Sequence, residues 1–230
     1  MKTLTVLVVG CSALAMSALA APSAMASHYP LDTISSGMMS AAQAATLGVA
    51  ANHTRDFEWL SGSKESPDPI WLCDLAGTTE VTVAGPPEVY SLRYASGKSK
   101  VETSAAQELD DFGNEQDART AMRAIRKAAT KCSGTFKVKD DQGWTVTQTL
   151  INGTGTTAEG KTFVWVKTTT TQADATTSVS EMEYNTYSRA GSFIQTVEVQ
   201  ELGLNAPKIT SAQIRTVNKL TGTLGTYWMG

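Results

Sequence analysis

Two carboxylates are the first candidates for chemistry. Glu183 and Glu198 lie in runs rich in Thr, Val and aromatics on either side of Ala190-Gly191, and an antiparallel hairpin there would bring both to one face. An even loop, read as four residues because Ala190 suits a type I turn better than a primed one, puts Ser188 opposite Phe193. Met182, Tyr184, Val197 and Val199 then share one side, and Glu183, Asn185, Thr196 and Glu198 the other. An odd loop would mix apolar and polar residues on both sides, which a sheet with one buried face disfavours. In this register Glu183 lies directly across from Glu198, with β-carbons about 5 Å apart. Such a pair can share a proton or act as the acid and nucleophile of a retaining glycosidase, whose carboxyls stand about 5 Å apart. The commoner outcome is a solvated face on which Lys167 or Lys161 reaches over from the neighbouring strand.

Other catalytic devices find less support. A Ser-His-Asp triad needs a well-held histidine, and the two histidines are His28, at the edge of the leader, and His53, at the start of a polar loop. The sequence has no Gly-x-Ser-x-Gly elbow, His-Glu-x-x-His or phosphate-cradling glycine loop. The acidic run Glu108, Asp110, Asp111, Glu115, Asp117 lacks the alternating spacing of a calcium loop. Arg119, Arg123, Arg126 and Lys127 make a basic stripe at helical spacing that is either an anion site or, more commonly, a solvated face. Asn52-His53-Thr54 and Asn152-Gly153-Thr154 match the glycosylation sequon weakly. No cofactor and no metal site are expected.

The first residues carry a different message. Met1-Lys2 is followed by an uncharged apolar and alanine-rich run that closes on Ala24-Met25-Ala26, the arrangement a signal peptidase reads, so residues 1–26 are expected to be a signal peptide and 27–230 one mature domain. The strongly apolar part is far shorter than the ~20 residues a bilayer needs, and nothing after residue 26 would span one. An alternative is lipoprotein processing at Val8-Val9-Gly10-Cys11, with anchoring through Cys11. Removing residues 1–26 takes away one lysine and no acid, so the net charge of -3 becomes -4. That balance argues against nucleic acid as a partner. In an exported chain the two remaining thiols, Cys73 and Cys132, read as one disulfide, contributing on the order of 4 kcal/mol in the chain-entropy picture; half a tetrahedral ligand set makes zinc unpromising.

The elements that must position these residues follow from period and punctuation. Ser36 to Val49 contains an alanine-rich helix stopped at Gly48; residues 52–70 read as a polar surface loop; Ile70-Trp71-Leu72-Cys73 reads as a core anchor. Glu88–Ala95 and Lys100–Leu109 read as a hairpin. Asn114 caps a helix, answered by Asp117 in a capping-box arrangement. Ala118, Met122, Ile125, Ala129 and Cys132 form its apolar stripe, and Gly134 its stop. Trp144–Ile151, Lys161–Thr171, Ser178–Ser188 and Phe193–Leu202 read as four antiparallel strands, and Ser211–Leu224 as a last helix with Ile214, Val217 and Leu220 on one face. The order predicts an α+β fold: a twisted antiparallel sheet with helices packed against it, and one disulfide.

The run Ser-Ala-Ala-Gln-Ala-Ala-Thr-Leu-Gly-Val, then Trp71-Leu72-Cys73, the helix ending on Cys132, and the strands around Tyr187-Ser188-Arg189-Ala190-Gly191-Ser192 resemble the PknH-like extracellular sensor domains of actinobacteria over nearly all of residues 31–228. The resemblance implies helices on a twisted antiparallel sheet, a cleft for a small ligand, and a disulfide tying the large helix to the strand region. It leads to the expectation of a secreted, non-enzymatic, ligand-binding or sensor-like domain of the cell envelope or extracellular space. Its cleft is expected on the sheet's mixed face at Trp165, Asn185, Tyr187 and Thr196. The rivals are a secreted hydrolase using Glu183 and Glu198, and a structural or host-interacting envelope protein.

Overall fold

The computed structural model describes residues 31–61, 70–71, 80–81, 88–97, 101–131, 133–139, 144–174, 177–204 and 207–228. In chain order the elements are α1 (Leu31–Gly37), α2 (Ala41–Thr46), β1 (Thr54–Ser61), β2 (Ile70–Trp71), β3 (Glu80–Val81), β4 (Glu88–Ser96), β5 (Val101–Asp111), α3 (Glu115–Ala129), β6 (Gly134–Lys139), β7 (Thr145–Thr156), β8 (Thr162–Ala173), β9 (Ser178–Ala190), β10 (Phe193–Gly203) and α4 (Ser211–Tyr227). Eight strands form one sheet in the order β1-β4-β5-β10-β9-β8-β7-β6, and β2 pairs with β3 separately. All the pairings are antiparallel.

This corrects the α+β expectation: the fold is dominated by its sheet, and the helices are few. Residues read as a polar loop form the outermost strand β1, in register with β4 from Thr54↔Ala95 to Ser61↔Glu88. Gly134, read as a helix stop, opens the other outermost strand, β6, while α3 ends at Ala129. The alanine-rich helix expected within Ser36–Val49 is α2, with Ser40 and Gln43 closing a capping box at its start, and a second short helix, α1, precedes it. The signal peptide, Cys11, Cys73 and Cys132 lie outside the described residues, which contain no disulfide.

Both faces of the sheet are covered. Val217, Leu220 and Leu224 of α4, with Trp228 after it, join Tyr184, Phe193, Val197, Val199 and the buried residues of α1 and α2 in one core cluster. On the opposite face α3 presents Ala118, Ala121, Met122, Ile125, Ala128 and Ala129 to Leu150, Val164, Val166, Tyr187 and Ile194. Four alanines let its backbone come close to the strands. The Asn114 side chain accepts from the Asp117 backbone N–H at 2.9 Å and donates to the Asp117 carboxylate at 2.7 Å, a variant of the expected cap.

A chain of buried amides and hydroxyls runs through the α4 side. The Met39 backbone N–H donates to Gln107 Oε1 at 2.6 Å, Gln107 Nε2 to Gln195 Oε1 at 3.3 Å, and Gln195 Nε2 to the Thr221 carbonyl at 3.2 Å. Thr186 and Thr221 share a hydroxyl–hydroxyl bond of 2.6 Å. All four side chains are buried. Satisfied buried polar groups of this kind fix one arrangement of the elements that carry them.

The β9–β10 hairpin is closed by Gly191-Ser192, with Ala190 opposite Phe193. Gly191 has φ 61°, the left-handed value that a glycine-first primed turn requires. Met182, Tyr184, Val197 and Val199 share a face as expected, but the pairing is displaced by two residues: Glu183 faces Gln200, and Glu198 faces Asn185.

Candidate functional site

The residues expected to line a cleft fall on two sides of the sheet. Trp165 pairs with Thr186, which pairs with Val197, so it belongs to the α4 face. There it stacks on Tyr184 with ring centroids 5.9 Å apart. It also covers Gly153, where an added β-carbon would lie 2.5 Å from Trp165 Cζ2. Asn185, Tyr187 and Thr196 do come together on the α3 face, Tyr187 directly opposite Thr196 and Asn185 opposite Glu198. Tyr187 is buried in the cluster beneath α3, and the buried Oδ1 of Asn185 accepts no hydrogen bond.

The carboxylates form a polar network instead of a facing pair. Gln200 Nε2 donates to Glu181 and, at 3.3 Å, to Glu183, while its Oε1 accepts from Arg93 Nη2 at 2.6 Å and Ser104 Oγ at 2.9 Å. Burial pushes the Glu198 carboxyl above its ordinary range; Arg93 pulls it back and Glu181 pushes it further up.

A groove of about 460 Å³ opens beside α3. Three elements supply its walls. Arg119, Arg123 and Arg126 follow one another along α3 at intervals of four and three, which places them on one flank of the helix. The β7–β8 turn, bent through Gly160 at φ 79°, brings Lys161 and Thr162. The β9–β10 turn brings Arg189 and Gly191, and Met122 lines the groove from the buried side of α3.

One end of the groove is neutralised. Arg119 Nη2 bonds Glu115 Oε2 at 2.5 Å, and Arg189 Nη1 lies 3.6 Å from the same oxygen while donating to the Gly191 carbonyl at 2.9 Å. The hydrogen bond from Arg119 and its charge hold the Glu115 carboxyl below its usual range, with Arg189 adding a smaller pull. At the other end Arg126 Nη2 donates to Thr162 Oγ1 at 2.6 Å and Arg123 Nε to the Arg119 carbonyl at 3.3 Å. Among the described residues, neither these two arginines nor Lys161 forms an ion pair.

No family model and no curated protein sequence matches the chain. Among solved structures, the extracellular domain of PknH from Mycobacterium tuberculosis matches with a TM-score of 0.50 and 13% sequence identity, covering 85% of this chain and 96% of that one. The chain has a PknH-like fold. At that identity the likeness concerns the fold alone. Among the described residues no helix is long and apolar enough to cross a membrane, and no three His, Cys, Asp or Glu side chains gather as metal ligands would.

Within this PknH-like fold the groove stands out by charge. Among the described residues five cationic side chains line it, with Glu115 paired to two of them at one end, on a chain whose net charge is -3. Like charges four apart on a helix, as Arg119 and Arg123 are, oppose one another by about 0.2–0.5 kcal/mol. Such an array is therefore relieved by an anion. The basic stripe in the sequence contained three of the five cations. Lys127, its fourth member, lies outside the groove lining, and Lys161 and Arg189 were missed because they arrive from turns distant in the chain. The local signal for both was a cation within two residues of a turn glycine, Gly160 or Gly191.

Proposed function

We propose that the protein is a secreted, sensor-like domain of the cell envelope or extracellular space that binds a ligand without turning it over, and that the groove beside α3 is its binding site. The convergence of five cations from α3 and two turns on one concavity carries this reading. The PknH-like fold and the leader-like first 26 residues support it. The site thereby moves from Trp165, Asn185, Tyr187 and Thr196, which the sheet divides between its faces, to side chains that share a cavity.

The test is a thermal-shift screen of the purified protein against envelope anions, glycans and peptides. A ligand that binds only the folded state stabilises it by about 2.7 kcal/mol at a hundred times its Kd, so a saturable rise in Tm is expected. It should weaken on replacing Arg123 and Arg126 by Gln. Turnover of a glycan, abolished by Glu198→Gln, would instead establish the hydrolase; saturable binding to nothing in the screen would favour the structural role.

A further inference from the structure

Resting on that reading, we infer that the free end of the groove, Arg123, Arg126 and Lys161, recognises the phosphate group of a phosphate-bearing organic ligand. The two ends of the cavity differ in what they can still bind. At the Glu115 end, Arg119 and Arg189 already share a carboxylate, so an incoming anion meets a negative charge there. Beyond that end the same groove is lined by Arg123, Arg126 and Lys161, and among the described residues none of the three is ion-paired. The hydroxyl of Thr162 holds one nitrogen of Arg126, which orients the guanidinium and leaves its Nη1 and Nε to donate. Arg123, anchored through Nε on the Arg119 carbonyl, keeps both terminal nitrogens. Lys161 adds an ammonium from a separate element.

Two guanidinium forks and an ammonium approaching from two elements suit the tetrahedrally arranged oxygens of phosphate better than the two coplanar oxygens of a carboxylate. The groove is also too large for an ion alone. Arg126 lies seven positions beyond Arg119, about 10 Å along a helix, and the cavity holds about 460 Å³. A ligand with its phosphate at the free end extends past Met122 and Gly191 towards the Glu115 end, where two cations and one carboxylate accept a polar, weakly charged body.

The experiment is calorimetric titration of the full chain with glycerol 3-phosphate, with citrate as the carboxylate control, beside co-sedimentation with phosphatidylglycerol or phosphatidylcholine vesicles. Saturable binding of glycerol 3-phosphate that citrate does not match is expected, weakening with salt. R123Q/K161Q should weaken it about tenfold or more, as loss of charge-assisted hydrogen bonds entails, whereas K127Q, on the same helix but outside the groove, should leave it unchanged. Tighter capture by phosphatidylglycerol vesicles identifies a lipid headgroup as the source; binding of the soluble ester alone identifies a free metabolite. Citrate binding as well as the phosphate, or phosphate binding that survives R123Q/K161Q, overturns the inference. If a neutral glycan or a peptide binds in an R123Q/K161Q-sensitive way and the phosphate does not, the binding function stands and the phosphate assignment falls. If no probe binds, both fall.

Discussion

Replacing Gln107 by Leu tests whether the buried amide chain holds the α4 layer to the sheet. Gln107 is fully buried and serves two partners: it accepts from the Met39 backbone N–H and donates to Gln195 Oε1. Leucine fills much of the same volume, so the cavity contribution is small. What the change leaves behind is a backbone donor and an amide oxygen, both deprived of the partner seen in the structure. Each such group costs about 1–3 kcal/mol when buried, giving a loss of about 2–6 kcal/mol, a large share of the 5–15 kcal/mol typical of a folded domain. Urea unfolding followed by fluorescence should show a lower midpoint with an unchanged slope. Gln195→Leu should also destabilise, and the double variant should lose less than the two single losses added, by about 0.5–3 kcal/mol, because the Gln107–Gln195 bond is broken in either single change. A loss below about 0.5 kcal/mol in Gln107→Leu, or strict additivity in the cycle, would refute the reasoning.

Two further outcomes follow from the geometry. Burial raises the Glu198 carboxyl above 4.5 despite Arg93, with Glu181 adding to the rise; the folded state therefore binds the proton more tightly than the unfolded one. The stabilisation linked to that proton is complete below the unfolded value and lost as pH rises through the folded one. Glu198→Gln should gain stability relative to the parent between pH 4 and pH 8, and a stability difference that stays constant over that range in paired urea titrations would contradict the assignment. Gly153→Ala sets a methyl 2.5 Å from Trp165 Cζ2, whose ring is stacked on Tyr184. Overpacking should cost about 1–3 kcal/mol and shift the tryptophan fluorescence, while Gly97→Ala, with no atom of the described residues beyond its chain neighbours within 4 Å of the added carbon, should do neither.

The strands β7 to β10, the β4–β5 hairpin, α3 and α4 were legible because each carries its own pattern: alternating Thr, Val and aromatics, or an apolar stripe behind Asn114. Strands β1 and β6 were not. Thr-Arg-Asp-Phe-Glu-Trp-Leu-Ser and Gly-Thr-Phe-Lys-Val-Lys are mostly exposed, and what makes them strands is the ladder offered by β4 and β7, a neighbour the local sequence does not display. The hairpin register was read with the right faces and the wrong pairing, because Gly191 at φ 61° moves the turn one position along each strand. The site divided the same way: helical spacing exposed Arg119, Arg123 and Arg126, whereas Arg189 and Lys161 join them only after the sheet has formed.

The outermost strands bear on how copies of this chain behave in company. β6 carries Lys137 and Lys139, and β1 carries Arg55, Asp56 and Glu58. An edge offers hydrogen-bonding groups to any extended chain that approaches, and charge is a common means of turning such visitors away. Two copies meeting β6 to β6 would crowd lysines against lysines, and like charges across a strand pair oppose its formation. At high concentration the molecule thus discourages growth of its sheet into a fibre, and neutralising those two lysines is the change that would weaken the deterrent.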